Sequence, residues 1–211
     1  MLRTVWATLA MATTLPGFRV LSLLTQLGSG SETPGMVWII VHAVLGLGVI
    51  WWVARANPGV LQRPTSGPLL SPLELLYAIT GLASWVLGYV FNIEFVHQYA
   101  VSGGNPVWGP GSWQDFIQHL FANPAASSAS QDYIFVNVVL LPVFTIIDGR
   151  RRGIARPWLF FVSSLFTSCT FGFCLYFAVV ERLRRVGLTG LEPVTSSLSG
   201  KRSNRLSYRP E

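Results

Sequence analysis

Charge is what this sequence has least of. Only 11% of its 211 residues are Asp, Glu, Lys or Arg, against about a quarter in a soluble domain. The deficit falls in long apolar runs, which excludes an ordinary soluble core and points to membrane spans. Cysteine is scarce too. The 2 cysteines, Cys169 and Cys174, share one apolar run; at that spacing on one helix they point in different directions, which excludes a disulfide framework. There is no Walker loop, dinucleotide fingerprint, Gly-x-Ser-x-Gly elbow or His-Glu-x-x-His helix, which argues against an ATP-driven transporter and the common hydrolases. Residues 28–35 and 102–131 contain no Lys or Arg at all.

What is present is apolar: 51% of the chain is hydrophobic and the mean hydropathy is +0.47. Five runs approach the ~20 residues that a bilayer-spanning helix needs. They cover residues 5–27, 36–54, 73–101, 133–147 and 157–180. The first follows a short basic start, Met1-Leu2-Arg3, and no small-residue cleavage site precedes Pro16-Gly17 and Arg19. It therefore reads as a retained anchor rather than a cleaved leader. The expected fold is all-α: a polytopic transmembrane bundle of about five spans. A short amphipathic helix, Trp113 to Phe121, lies along its outer surface.

The basic residues set a topology. Arg55, Arg63, Arg150, Arg151, Arg152 and Arg156 sit in two loops, which the positive-inside rule places in the cytoplasm with the N-terminus. Five spans then put the C-terminus outside the inner membrane, and Arg182, Arg184 and Arg185 go with it, against the rule. Thr80, Ser84 and Gly88, and again Ser164, Ser168 and Gly172, form small-residue stripes. Such stripes let helices approach closely within one chain or across a homodimer. The net charge of +6 sits largely at span ends and in the last two dozen residues. No nucleic-acid partner is expected; membrane lipids are, with Arg150, Arg151, Arg152 and Arg156 candidates for an anionic headgroup.

Two resemblances follow from particular motifs. Leu75-Leu76-Tyr77 opens a span. Leu120-Phe121-Ala122-Asn123-Pro124-Ala125 is followed by Ser127-Ser128 and by Asp132, which begins the next span. Asp148-Gly149-Arg150-Arg151 closes that span, with Trp158 after it. Residues 73–185 thereby resemble a bacterial family of small membrane proteins known as domain of unknown function 2834. The resemblance implies a three-span unit and no known activity; residues 1–72 would add two spans and a cytoplasmic loop. The tail, from Gly190-Leu191-Glu192-Pro193 to Asn204-Arg205-Leu206-Ser207-Tyr208, resembles a transfer-RNA gene translated on its antisense strand. Residues 186–211, with Lys201, Arg202, Arg205 and Arg209, then read as a disordered, non-native extension.

Ionisable groups inside spans are costly and are the best functional clue. Glu94 and His97 are three apart on one helical face, and Asp115 and His119 are four apart on the amphipathic segment. Asn137 lies about one turn inside Asp132. Three readings stay open. Arg19 pairs with Glu94 or Asp132 and the histidines are capped. Or His and carboxylate ligands hold zinc or iron, although no second Glu-x-x-His pair lies in a span. Or Glu94, its proton affinity raised by burial, is the acid of an intramembrane enzyme acting on an isoprenoid or other lipid, with His97, Asp132 and Asn137 beside it. The first gives a binding or structural membrane component without metal or cofactor, which is the leading expectation; the third is its alternative.

If the tail is spurious, a transfer-RNA gene overlaps the final codons on the opposite strand. Reading the genomic DNA at this locus checks this, and the absence of such a gene there removes the idea.

Overall fold

The computed structural model describes residues 33–187, Gly103 excepted. The first expected span with Arg19, and the tail from residue 188, lie outside the described residues. Helix α1 is Thr33–Ala56, α2 Pro72–Tyr99 and α3 Trp113–His119; α4, Pro124–Ile134, passes through a π-helical turn, Phe135–Leu140, into α5, Leu141–Arg151. Helices α6, Leu159–Phe166, and α7, Cys169–Arg185, follow. No strand occurs among the described residues. Two compact units divide the chain: residues 33–41 and 87–122 in one, 42–86 and 123–187 in the other.

Local chemistry fixes the helix starts. Ser71-Pro72-Leu73-Glu74 is a capping box: the Glu74 amide donates to Ser71 Oγ at 3.1 Å and the Ser71 amide to the Glu74 carboxylate at 2.6 Å, with Pro72 suited to the first turn. Asn123 caps α4 ahead of Pro124, accepting from the Ala126 amide at 2.9 Å. Ser112 caps α3 and Ser168 caps α7 in the same way.

Three helices among the described residues are long and apolar enough to cross a membrane: Val37–Ala56 within α1, Pro72–Tyr99, and the rod Pro124–Arg151. The first two match the expected second and third spans closely. The rod begins at Pro124 rather than Tyr133, because Asn123-Pro124 is a strong helix start that its polar sequel hides. Asp132 is consequently inside the helix, not at its mouth. The short helix expected near Trp113 is α3.

The fifth apolar run is not one span. It breaks at Thr167, where the backbone leaves the helical region (φ −125°, ψ −93°), and α7 returns antiparallel to α6. The Phe160 and Tyr176 rings meet at 5.1 Å, and a Cβ on Gly172 would come within 2.9 Å of Ser164 Cβ and 3.0 Å of the Phe160 carbonyl. Only glycine admits that approach. Helix α7 then descends along α2, through Ser168–Ser84 (2.9 Å), Phe177–Tyr77 (5.6 Å) and Arg182–Glu74 (2.6 Å). The two small-residue stripes thus meet within the chain at Ser84 and Ser168. The base of α6 is fixed to the end of α1: Asn57 Oδ1 accepts from the Ala155 amide at 2.9 Å and its Nδ2 donates to the Ala155 carbonyl at 3.2 Å. The tip lies beside Gly46, whose imagined Cβ would sit 3.1 Å from Thr167. Asn57 to Gly46 is eleven helical residues, about 16 Å at ~1.5 Å each, or roughly half of a ~30 Å hydrocarbon core.

The hairpin carries the end of α7 back toward its own base. Arg182 and Arg185 return to the loop that follows α1. Arg182 reaches the Gln62 carbonyl at 3.3 Å, Arg185 the Pro68 carbonyl, and the Thr65 hydroxyl donates to the Arg185 carbonyl at 3.1 Å. Both guanidinium groups converge on Glu74, which is 3% exposed. The core of this unit is Val49, Val53, Ile154, Leu159, Phe160, Tyr176, Val179 and Leu183. Outward faces stay apolar, as lipid requires: Val44, Leu47, Ile79, Leu82 and Val143 are all exposed.

Two expectations follow. With Cys169 and Cys174 replaced by alanine, single cysteines at Ser66 and Arg184 should react with an impermeant maleimide from the same side of the membrane. Reaction from opposite sides would mean that α7 crosses. Glu74→Gln strands two buried cations and should cost about 3–5 kcal/mol, read as a lower melting temperature in detergent. Glu94→Gln, at an exposed and unpaired position, should leave it unchanged.

Candidate functional site

The π-helical turn and the hairpin tip form a polar cluster in the second unit. The extra residue in the π-turn swings Asn137 inward, where it is 4% exposed. Its Oδ1 accepts from Ser164 Oγ at 2.7 Å and its Nδ2 donates to Tyr133 Oη at 3.3 Å. Ser163 and Thr167 hydroxyls turn back onto the Phe160 and Ser163 carbonyls at 2.7 and 2.8 Å. π-Turns and broken helices at membrane depth are recurrent functional features. Here the described polar groups are spent on one another.

The other expected residues fall elsewhere. Asp132 is exposed, and its side chain has no ion pair or hydrogen bond among the described residues. Glu94 and His97 belong to the first unit. Glu94 is likewise exposed and unpaired there, in place of the buried acid expected; His97 is half-buried. Around them Trp38, Ile39 and Val96 make a small core. Phe95, Tyr99, Phe116 and His119 form an aromatic cluster, with the Tyr99 and His119 rings 4.4 Å apart. The Asp115 carboxylate accepts from the Gly111 amide at 2.8 Å and lies 3.3 Å from His119 Nδ1. A cavity of about 350 Å³ opens beside Tyr99, Asp115 and His119. Among the described residues no three His, Cys, Asp or Glu side chains gather at one point; a metal bound by Glu94 and His97 would lack a third ligand from that set.

The arginines separate into two groups. Arg152 is held by Asp148 at 2.5 Å, and that hydrogen bond raises its guanidinium above the ordinary value. Asp148 also accepts from Tyr176 Oη at 2.5 Å. Arg184 pairs with Glu181 at 2.8 Å, and Arg182 and Arg185 with Glu74. Arg55, Arg63, Arg150, Arg151 and Arg156 have no carboxylate partner among the described residues. Of these, Arg55 and Arg156 share a cleft of about 500 Å³ with Trp51, Trp52, Ala56 and Ala155. The Arg156 guanidinium lies 5.2 Å from the Trp52 ring centroid, and Trp52 meets Trp158 edge-on at 5.6 Å. Arg156 holds φ +52°, a left-handed conformation that costs a non-glycine residue about 1–2 kcal/mol. The Asn57 clamp on the adjacent Ala155 fixes it there.

The sequence singles out Arg156, Asn137 and the Asp115–His119 pair. It missed Glu74, although the Ser71-Pro72-x-Glu74 capping box was legible. It missed Asn57 and the cleft shared by Arg55 and Arg156, for which a polar residue one step beyond the apolar run was the only local signal.

No curated protein and no solved structure matches the chain. A family model described as "Protein of unknown function DUF2834" matches residues 76–182, from the second turn of α2 through the hairpin to Arg182. The chain belongs to that family.

Proposed function

We propose that this is a non-catalytic, multi-pass component of a bacterial inner membrane that works by binding a membrane amphiphile. The observation that carries the reading is how its polar groups are used. Within the apolar rods, Asn137, Tyr133, Ser164, Ser84 and Ser168 pair with one another. A catalytic or transport site instead needs side chains left free to meet a substrate. The acid–base alternative, with Glu94 as donor and His97, Asp132 and Asn137 in support, has a specific weakness. Glu94 and Asp132 are exposed, and the Asn137 amide is already committed.

The orientation proposed puts the basic end in the cytoplasm. Arg55, Arg156, Arg182 and Arg185 are tied to one end of the second unit by the Asn57 and Glu74 contacts, so the positive-inside rule no longer meets an exception. Of the two cysteines of the labelling pair, neither would then react from outside intact cells.

Native mass spectrometry of the full chain in mild detergent tests the binding reading. A bound amphiphile is expected with the wild type and equally with Glu94→Gln. A wild type that carries none overturns binding. Turnover of an added isoprenoid by the wild type and not by Glu94→Gln would establish the enzyme instead.

A further inference from the structure

We infer that the cleft of Arg55 and Arg156 is a site for the phosphate of an anionic phospholipid, with the acyl chain laid along α1. The inference rests on the binding reading above and names its ligand and place.

Four observations converge. First, charge: the arginines of α7, and Arg152, each lie against a carboxylate, Arg182 and Arg185 sharing Glu74, Arg184 on Glu181 and Arg152 on Asp148. Arg55 and Arg156 meet no carboxylate among the described residues and line one cleft. Two cations lining one cleft without an acid favour an anion there. Their planar donors suit phosphate oxygens.

Second, preorganisation. Asn57 grips both the amide and the carbonyl of Ala155, and Arg156 is held in a left-handed backbone conformation next to it. The side chain is braced by the Trp52 ring, itself braced by Trp158. A site whose donors are already placed loses less freedom on binding.

Third, surroundings. Val44, Leu47, Trp51 and Arg55 follow one another at helical spacing on α1, and all four are exposed. They make one stripe that is apolar for two turns and ends in a cation. A free phosphate ion has no use for that stripe; a lipid does. Tryptophan at such a boundary matches the headgroup level of a bilayer.

Fourth, size. A cleft of about 500 Å³ is roomy for a bare phosphate and of a size with small-molecule sites. Arg150 and Arg151 carry the same charge and are exposed, but no aromatic wall or backbone clamp involves them. They serve as the internal control.

The test is lipid titration of the full chain by native mass spectrometry, with phosphatidylglycerol, phosphatidylcholine and soluble glycerol phosphate as probes. The wild type should bind phosphatidylglycerol in preference to phosphatidylcholine. Arg55→Gln with Arg156→Gln should lose roughly 30-fold in phosphatidylglycerol affinity, while Arg150→Gln with Arg151→Gln changes it by less than about threefold. Arg156→Lys should fall between, because lysine keeps the charge and loses the fork. Equal loss in both double variants would mean diffuse attraction and overturns the site. Competition by glycerol phosphate as effective as by the lipid would overturn the acyl-chain stripe. A wild type that binds phosphatidylcholine equally well keeps the binding reading and removes this one, whereas a wild type that binds no lipid removes both.

Discussion

A chain that reverses direction inside lipid must satisfy every backbone group at the reversal, because no water is there to do it. The turn at Thr167 and Ser168 meets this demand with hydroxyls. Thr167 caps the Ser163 carbonyl in the last turn of α6, and Ser168 accepts from the Phe171 amide at the start of α7. Asn137 then fastens the tip to the neighbouring rod through Ser164. The π-turn in that rod is the price of pointing an amide inward at this level. Remove the hydroxyls and the fifth apolar run has no reason to be two helices rather than one. Most of the second unit depends on that reversal, since Gly46, Ser84 and Gly172 are shaped around it.

The same reversal decides the electrostatics. Because α7 comes back, its arginines arrive beside the start of α2, where Glu74 has already been turned inward by its capping box with Ser71. One carboxylate then serves a helix start and two guanidinium groups. Burying such a cluster is not in itself strongly stabilising, since desolvation offsets much of the attraction. Its consequence is specificity: breaking it leaves uncompensated charge. Three backbone carbonyls of the 62–69 loop, those of Gln62, Pro68 and Leu69, also receive donors from Arg182 and Arg185. The loop is thus ordered by the hairpin rather than by its own sequence.

Much of this was legible in the sequence, and the rest was hidden for definite reasons. The spans of α1 and α2, the amphipathic helix and the family were visible because apolar length, helical spacing and local motifs carry them. The hairpin was not, because Thr167-Ser168 sits within a run whose average hydropathy reads as one continuous span. That miss propagated. An unbroken span leaves Arg182 and Arg185 far from Glu74, and so hides their pairing with it. Glu94 drew attention as an acid far inside a span, yet position along a helix does not say which face is covered. The covered acid was Glu74, at the mouth of the same helix, where an exposed cap would be the default expectation.

The arginines make the general point about charge in a membrane protein this poor in it. A positive-inside count treats them as equivalent, and for topology they are. Their neighbours make them different. Arg152 and Arg184 each have a carboxylate and Arg182 and Arg185 share one, and these pairs hold helices and a loop together. Arg150 and Arg151 face outward without a wall behind them. Among the described residues, Arg55 and Arg156 share a cleft walled by Trp51 and Trp52, with the backbone clamped at Ala155. Ala56 and Ala155 line the same cleft, so these two positions add no acid to it. The uncompensated pair is therefore a property of the local design of the site, and it is where an anion from outside the chain has most to contribute.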